Sequence, residues 1–145
     1  MTPAEAIAAE AAINRRRRLI ELGAIGLLAA AGTAVLHVVD PNQPGHYPLC
    51  PLYALTGWYC PGCGALRAVH DLSVGDLAGA WAMNPLLVLS VPYFVAVWLA
   101  SVQRAATGRS RRWVAPGWLV LTLAIALTLF GVLRNVPTLS FLAPH

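Results

Sequence analysis

Long apolar runs alternate with polar segments along this chain. The runs cover residues 19–39, 85–102 and 113–133, and each approaches the roughly 20 mainly apolar residues that an α-helix needs to cross a bilayer. The pattern predicts an all-α membrane protein with three transmembrane helices. The segments before, between and after the runs are residues 1–18, 40–84, 103–112 and 134–145.

The arginines indicate how these helices are oriented. Arg15–Arg18 precede the first run, and a further group lies between the second and third runs, whereas the long 40–84 loop holds Arg67 alone. Because cytoplasmic segments are enriched in Lys and Arg, the N-terminal segment and the 103–112 loop are predicted to be cytoplasmic. The 40–84 loop and the 134–145 tail are then predicted to face outward. A signal peptide would also begin with a basic and then an apolar segment, but cleavage would leave the long loop without its first tether.

Composition supports a membrane setting and argues against several functions. Hydrophobic residues make up 58% of the chain and charged residues 11%, against about 25% charged residues in soluble domains. The basic residues are all arginine, which we interpret as a GC-rich bacterial coding sequence, and their clustering at helix ends argues against nucleic-acid binding. The chain lacks hydrolase, phosphate-loop and HExxH motifs, and its apolar runs hold few ionisable groups. We therefore expect a non-catalytic protein of the bacterial inner membrane.

Two short helices are predicted within the long loop. The first begins at Pro61, with Cys60 as its N-cap, and its apolar residues recur at helical spacing. Cys63, Arg67 and His70 follow at intervals of four and three, so that they would share the opposite face of this helix.

The second short helix would start at a capping box formed by Ser73 and Asp76. Its apolar stripe ends at Trp81 and would lie in the outer membrane interface or against the transmembrane helices. Asn84 and Pro85 then form the N-cap and first residue of the second long helix.

The same stretch of sequence carries a set of short motifs: Cys50-Pro51, Cys60-Pro61-Gly62-Cys63-Gly64, Arg67-Ala68, Gly75-Asp76 and Asn84-Pro85. With these motifs the chain resembles a widespread bacterial family of small integral membrane proteins of unassigned function. The resemblance implies a membrane fold and no particular activity. Leu66 stands where the family often has Thr.

The three cysteines of the loop allow three interpretations. A disulfide from Cys50 to either Cys60 or Cys63 would tie the irregular start of the loop to its first helix and leave one thiol over. The C-x-x-C pair at a helix N-terminus would favour a reactive thiolate, although no thioredoxin-like βαβ pattern surrounds it. Cys-Pro-x-Cys-Gly is also similar to one half of a zinc-ribbon site, in which Cys50 with His46 or His70 would complete the four ligands. We expect no cofactor, and zinc is the alternative that these residues allow.

The sequence favours an accessory or scaffold subunit of a larger cell-envelope complex, whose outward loop, stapled by a disulfide or a metal ion, docks a partner. The alternative is an envelope thiol-disulfide exchange or metal-binding protein that acts through the three cysteines. Expected partners are membrane lipids and other membrane protein subunits, and nucleic acid is not expected. The residues predicted to clamp the loop or bind a partner are Arg67, Asp71, Asp76, Trp81 and Asn84.

Overall fold

The computed structural model describes residues 2–109 and 116–145. Within these residues the protein contains helices and no strand, so the prediction of an all-α protein is confirmed. Six α-helices are followed by a short 3₁₀ helix. They are α1 (Pro3–Val38), α2 (Pro51–Thr56), α3 (Ala65–Ser73), α4 (Leu77–Met83), α5 (Pro85–Thr107), α6 (Gly117–Leu133) and the 3₁₀ helix Pro137–Leu142.

Two of these helices, α1 and α5, are long and apolar enough to cross a membrane. They correspond to the first and second predicted spans. α1 begins much earlier, at Pro3, and ends at Val38, one residue before the predicted end, whereas α5 contains the whole second span and continues to Thr107. The third predicted span corresponds to α6, which has 17 residues and is shorter than the roughly 20 residues of a typical span. It begins after Pro116, whose backbone is extended. The first residues of that predicted span and the arginines at 111 and 112 lie outside the described residues.

The described chain forms two compact units. One contains residues 2–31 and 92–109, and the other contains residues 32–91 and 116–145. In the first unit, the indole Nε1 of Trp98 donates a hydrogen bond to the Leu22 carbonyl at 3.1 Å. A Cβ added to Gly26 would lie 2.6 Å from the Trp98 ring, so the absence of a side chain at this position allows the ring to pack on α1.

In the second unit, the first short helix begins later than the sequence predicts. Pro61 is not its first residue; α3 begins at Ala65, after Gly64 with a φ of 77°. The intervening residues form a turn in which the Cys63 N–H donates to the Cys60 carbonyl at 3.1 Å. The positive φ of glycine breaks the helical path, and for this reason Cys60 and Cys63 lie on a turn instead of a helix.

The capping box predicted for the second short helix is also wrong. The N-cap of α4 is Asp76, whose Oδ1 accepts a hydrogen bond from the Gly79 N–H at 2.8 Å. Ser73 is instead the last residue of α3, and its hydroxyl donates to the His70 carbonyl at 2.6 Å. Gly75, with a φ of 84°, separates the two helices, so the cap must follow it.

Candidate metal centre

Three sulfur atoms meet in the second unit. Cys50 is the N-cap residue of α2, while Cys60 and Cys63 flank the turn before α3. The Cys60 sulfur lies 3.5 Å from that of Cys50 and 3.3 Å from that of Cys63, and all three sulfurs lie within 4.8 Å of one another. The cysteines are free thiols, and the Cys63 sulfur also accepts the Cys60 N–H at 3.2 Å.

The turn is held from behind by Asn84. This residue is 2% exposed, and its Nδ2 donates to the carbonyls of Pro61 and Cys63 at 3.0 and 3.2 Å. Its Oδ1 accepts the Leu87 N–H at 3.0 Å, which is the N-cap contact that the sequence predicts for α5. The same side chain therefore starts α5 and fixes the turn that carries two of the cysteines.

Arg134, which follows the last residue of α6, binds the same turn. Its Nη1 donates to the carbonyls of Cys60, Pro61 and Cys63 at 2.8, 3.3 and 3.1 Å. Its Nη2 reaches the Met83 carbonyl at 3.4 Å. Since these acceptors lie more than fifty residues earlier in the chain, the arginine joins the end of α6 to the turn and to the end of α4.

The next residue, Asn135, fixes the segment that leads into the turn. Its Oδ1 accepts the Tyr59 N–H at 2.8 Å, and its Nδ2 donates to the Tyr59 carbonyl at 2.9 Å. The backbone of Gly131 lies against the turn, because a Cβ added there would be 2.9 Å from Cγ of Pro61. The turn is thus enclosed by α6 on one side and by the start of α5 on another.

Arg134 is a buried cation without a carboxylate partner among the described residues. It is 1% exposed, its Nε lacks a hydrogen-bond partner within those residues, and its guanidinium carbon lies 5.0 Å from the Phe130 ring centre and 5.9 Å from that of Tyr59. Burial lowers the pKa of Arg134, and thiolates at Cys63 and Cys60 oppose that shift. Within the described residues, the ionisable groups that act on its charge are the sulfurs of Cys63 and Cys60 and, to a smaller extent, the hydroxyl of Tyr59; the sulfurs are the ones that binding of a metal ion would ionise.

The thiols of the cluster differ in pKa. The pKa of Cys50 is lowered to about 7, first by the Tyr53 N–H of the adjoining helix and then by the neighbouring thiols. The pKa of Cys63 is raised to about 12, mainly by burial and further by its hydrogen bonds within the cluster. In the metal-free protein Cys50 is therefore more acidic than Cys63. The sequence predicted instead that the reactive thiolate belongs to the C-x-x-C pair at a helix N-terminus.

The two histidines predicted as further ligands bond to other groups. The Nδ1 of His70 lies 2.8 Å from the Leu36 carbonyl, and its Nε2 lies 3.4 Å from a carboxylate oxygen of Asp40. The Nδ1 of His46 lies 2.8 Å from the Asp40 carbonyl. Among the described residues, the group of potential ligand atoms consists of the three sulfurs alone.

The residues that were predicted to clamp the loop or to bind a partner do not lie together at one site. Arg67 forms no ion pair with Asp71 in the described structure, since its Nε donates to the Pro41 carbonyl at 3.4 Å. Asp71 is buried and accepts a hydrogen bond from Nδ2 of Asn42 at 3.1 Å. Arg67 and Asp71, both on α3, therefore bind two adjacent residues of the preceding loop, Pro41 and Asn42. Trp81 is 48% exposed on α4.

Three thiols in this arrangement could hold a metal ion such as zinc. Zinc–sulfur bonds of about 2.3 Å in a tetrahedral site place sulfurs about 3.8 Å apart, and the observed separations of 3.3 and 3.5 Å require only small movements. A four-coordinate ion would keep one position for water or another ligand.

Sequence reasoning missed Arg134 and Asn135, although one signal was available. Arg134 is a second arginine on the side predicted to face outward, where positive charge is not needed for topology. An arginine directly after an apolar run, without an acidic residue nearby in sequence, indicates a backbone or anion contact elsewhere in the fold.

Residues 50–98 match a family described as "Protein of unknown function (DUF2752)". The match begins at the first cysteine, contains the whole cluster and α2–α4, and ends within α5. It agrees with the resemblance to a family of unassigned function and adds no activity. Neither a curated protein nor a solved structure matches the chain.

Substitution of Gly64 tests the packing of the turn. A Cβ at Gly64 would lie 2.5 Å from the Met83 carbonyl oxygen, whereas one at Gly75 would meet nothing within 4 Å, and both residues have positive φ. Gly64→Ala and Gly75→Ala should share a strain of about 1–2 kcal/mol, and Gly64→Ala should lose about 1–3 kcal/mol more through overpacking. Thermal unfolding in detergent measures the difference, and equal stabilities would contradict the packing described for the turn.

The acidity of Cys50 predicts its pattern of alkylation. In metal-free, reduced protein, iodoacetamide should modify Cys50 faster than Cys63, because thiolates are the nucleophiles. A thiol with a lowered pKa is ionised above that value, so the Cys50 rate should fall as the pH drops through about 7. Peptide mass spectrometry across a pH series gives both rates. Faster modification of Cys63 would show that burial does not protect it.

Proposed function

We propose that the protein is a metal-binding protein of the bacterial inner membrane, which holds an ion such as zinc through Cys50, Cys60 and Cys63. In this proposal α1, α5 and α6 cross the membrane, the N-terminus is cytoplasmic, and the cysteine cluster lies at the outer surface. The length and apolar character of α1 and α5 support the membrane setting, and the arginine distribution supports the orientation.

The observation that carries this proposal is the buried Arg134 beside the cluster. A buried charge is costly unless an opposite charge compensates it. Three thiolates with a divalent ion carry one net negative charge, which matches the single positive charge of the guanidinium. The backbone contacts of Arg134 to Cys60 and Cys63 place that charge against the turn that carries these ligands.

A Cys50–Cys60 disulfide would fit this environment less well. Oxidation of these two thiols produces a neutral bond, which cannot compensate Arg134. Cys63 would then have to supply the negative charge alone, and its pKa is raised. The electrostatics therefore favour three metal-bound thiolates over this bridge, whereas a Cys60–Cys63 bridge would leave Cys50, whose pKa is lowered, to carry the charge.

Thiol-disulfide exchange is the second candidate, and one observation favours it. The lowered pKa of Cys50 gives a thiolate near neutral pH, with the Cys60 sulfur 3.5 Å away as a resolving thiol. Exchange and metal binding use the same atoms and differ in mass: the exchanging protein loses two hydrogens on oxidation and carries no metal. The scaffold-subunit hypothesis stays a prediction.

Metal analysis of the purified chain tests the proposal. The protein is extracted in mild detergent with a phosphine reductant, loaded with zinc, and analysed by native mass spectrometry and by competition with a chromophoric chelator. We expect one zinc per chain, and we expect Cys50→Ser, Cys60→Ser and Cys63→Ser each to abolish stoichiometric binding. His46→Ala and His70→Ala are the matched controls and should retain the ion, because their rings bond elsewhere.

Substitution of Arg134 separates its charge from its shape. Arg134→Gln should weaken zinc binding by about 10- to 100-fold, the usual effect of removing a group that supports metal ligands. Arg134→Lys, which keeps the charge, should weaken binding less, and circular dichroism checks that both variants keep their helices. Zinc binding that survives each of the three cysteine substitutions would refute the proposal. A second extraction, without reductant, gives the other contrary result: a chain that carries no metal and is two hydrogens lighter.

A further inference from the structure

A cavity of about 390 Å³ opens beside the cysteine cluster. Its volume lies within the range of small-molecule sites. Cys50 and Cys63 line it, together with Arg67 and with three aromatic side chains, Tyr47, Tyr53 and Tyr59. The cavity therefore joins two of the proposed metal ligands to a cation and to aromatic surface.

Two further side chains hold the Cys60–Cys63 turn without lining the cavity. Asn84 and Arg134 bind its carbonyls, and neither belongs to the cavity lining. An ion bound by three sulfurs would therefore have its remaining coordination position on the side of the cavity. A position that faces a cavity can accept a ligand from solution, as open metal sites do.

Arg67 supplies the second recognition element. It is exposed, it lines the cavity, and its one hydrogen bond in the described residues is that from Nε to the Pro41 carbonyl. Its terminal nitrogens thus remain available for a planar anion, and a guanidinium binds a carboxylate through two parallel hydrogen bonds. No carboxylate belongs to the described residues that line the cavity.

The charges of the site favour an anionic ligand. A divalent ion with three thiolates carries one negative charge, which Arg134 compensates. Arg67 adds a second positive charge at the cavity, and none of the described lining residues carries a carboxylate. A ligand that donates a soft sulfur to the ion and a carboxylate to Arg67 satisfies both positions, because zinc accepts thiolates readily.

We propose that the cavity binds a small thiol that carries a carboxylate, with its sulfur on the metal ion and its carboxylate on Arg67. On binding, the thiol proton leaves to solvent, a metal–sulfur bond replaces the bond between the ion and the water at its open position, that water is released, and no electron is transferred. The aromatic lining packs against the carbon atoms between the two groups. This inference rests on the proposed metal site and adds the chemical class of its ligand.

Cobalt(II) reports the ligand at the open position, because its absorption changes when a thiolate joins the coordination sphere. The full chain in detergent, free of thiol reductants and loaded with one equivalent of cobalt, is titrated with mercaptoacetate, mercaptoethanol and acetate. Mercaptoacetate should change the spectrum at about tenfold lower concentration than mercaptoethanol, a factor typical of one charge-assisted hydrogen bond. Acetate, which lacks the sulfur, should not add a sulfur-to-cobalt band.

The Arg67→Gln variant should lose the preference for mercaptoacetate over mercaptoethanol. Arg104→Gln is the matched control, since Arg104 does not line the cavity, and it should keep the preference. Three results would each overturn the inference. The two thiols could bind the unmodified protein with equal affinity, the preference could survive Arg67→Gln, or mercaptoacetate could remove the cobalt. Failure of cobalt to bind at all would instead overturn the metal site itself, so the two proposals fail by different results.

Discussion

The interaction on which the second unit depends is the buried guanidinium of Arg134 against the carbonyls of the Cys60–Cys63 turn. Neutral carbonyls accept the hydrogen bonds of its Nη1 and Nη2 and leave its charge uncompensated. That charge is acceptable if the neighbouring sulfurs are ionised, and thiolates at such short separations repel one another unless a cation lies between them. In the proposed site, the arginine and a metal ion would therefore stabilise the same arrangement of sulfurs.

Distant parts of the chain converge on this turn. Asn84 reaches it from the start of α5, Asn135 fixes the preceding residue, and Gly64 allows the Met83 carbonyl to approach closely. Each contact holds backbone atoms, so the positions of Cys60 and Cys63 are set before a ligand binds. Cys50 arrives separately, at the N-cap of α2. With the proposed ion bound, a preorganised pair and a third ligand on its own short helix would leave one coordination position, which we assign to the adjoining cavity.

Sequence patterns predicted the all-α architecture, the long apolar helices α1 and α5 as two of three expected spans, and the three cysteines as candidate site residues, because hydrophobic period and cysteine content are local properties. They failed where the outcome depends on backbone conformation or on distant contacts. The start of α3 moved from Pro61 to Ala65 because Gly64 adopts a positive φ. The histidines were predicted as ligands by spacing, but carbonyls of the preceding loop and of α1 bind their rings. Arg134 was missed because its partners lie 51–74 residues away in the sequence.

X-ray absorption at the zinc edge tests the central claim most directly. The zinc-loaded chain, in detergent and without added thiols, should show three sulfur scatterers at about 2.3 Å and one oxygen or nitrogen at about 2.0–2.2 Å. That result would confirm a three-thiolate site with an exchangeable fourth position. A shell of oxygen and nitrogen without sulfur would show that the ion binds elsewhere, and four sulfurs would show that a cysteine of another chain closes the site; either spectrum would contradict the account.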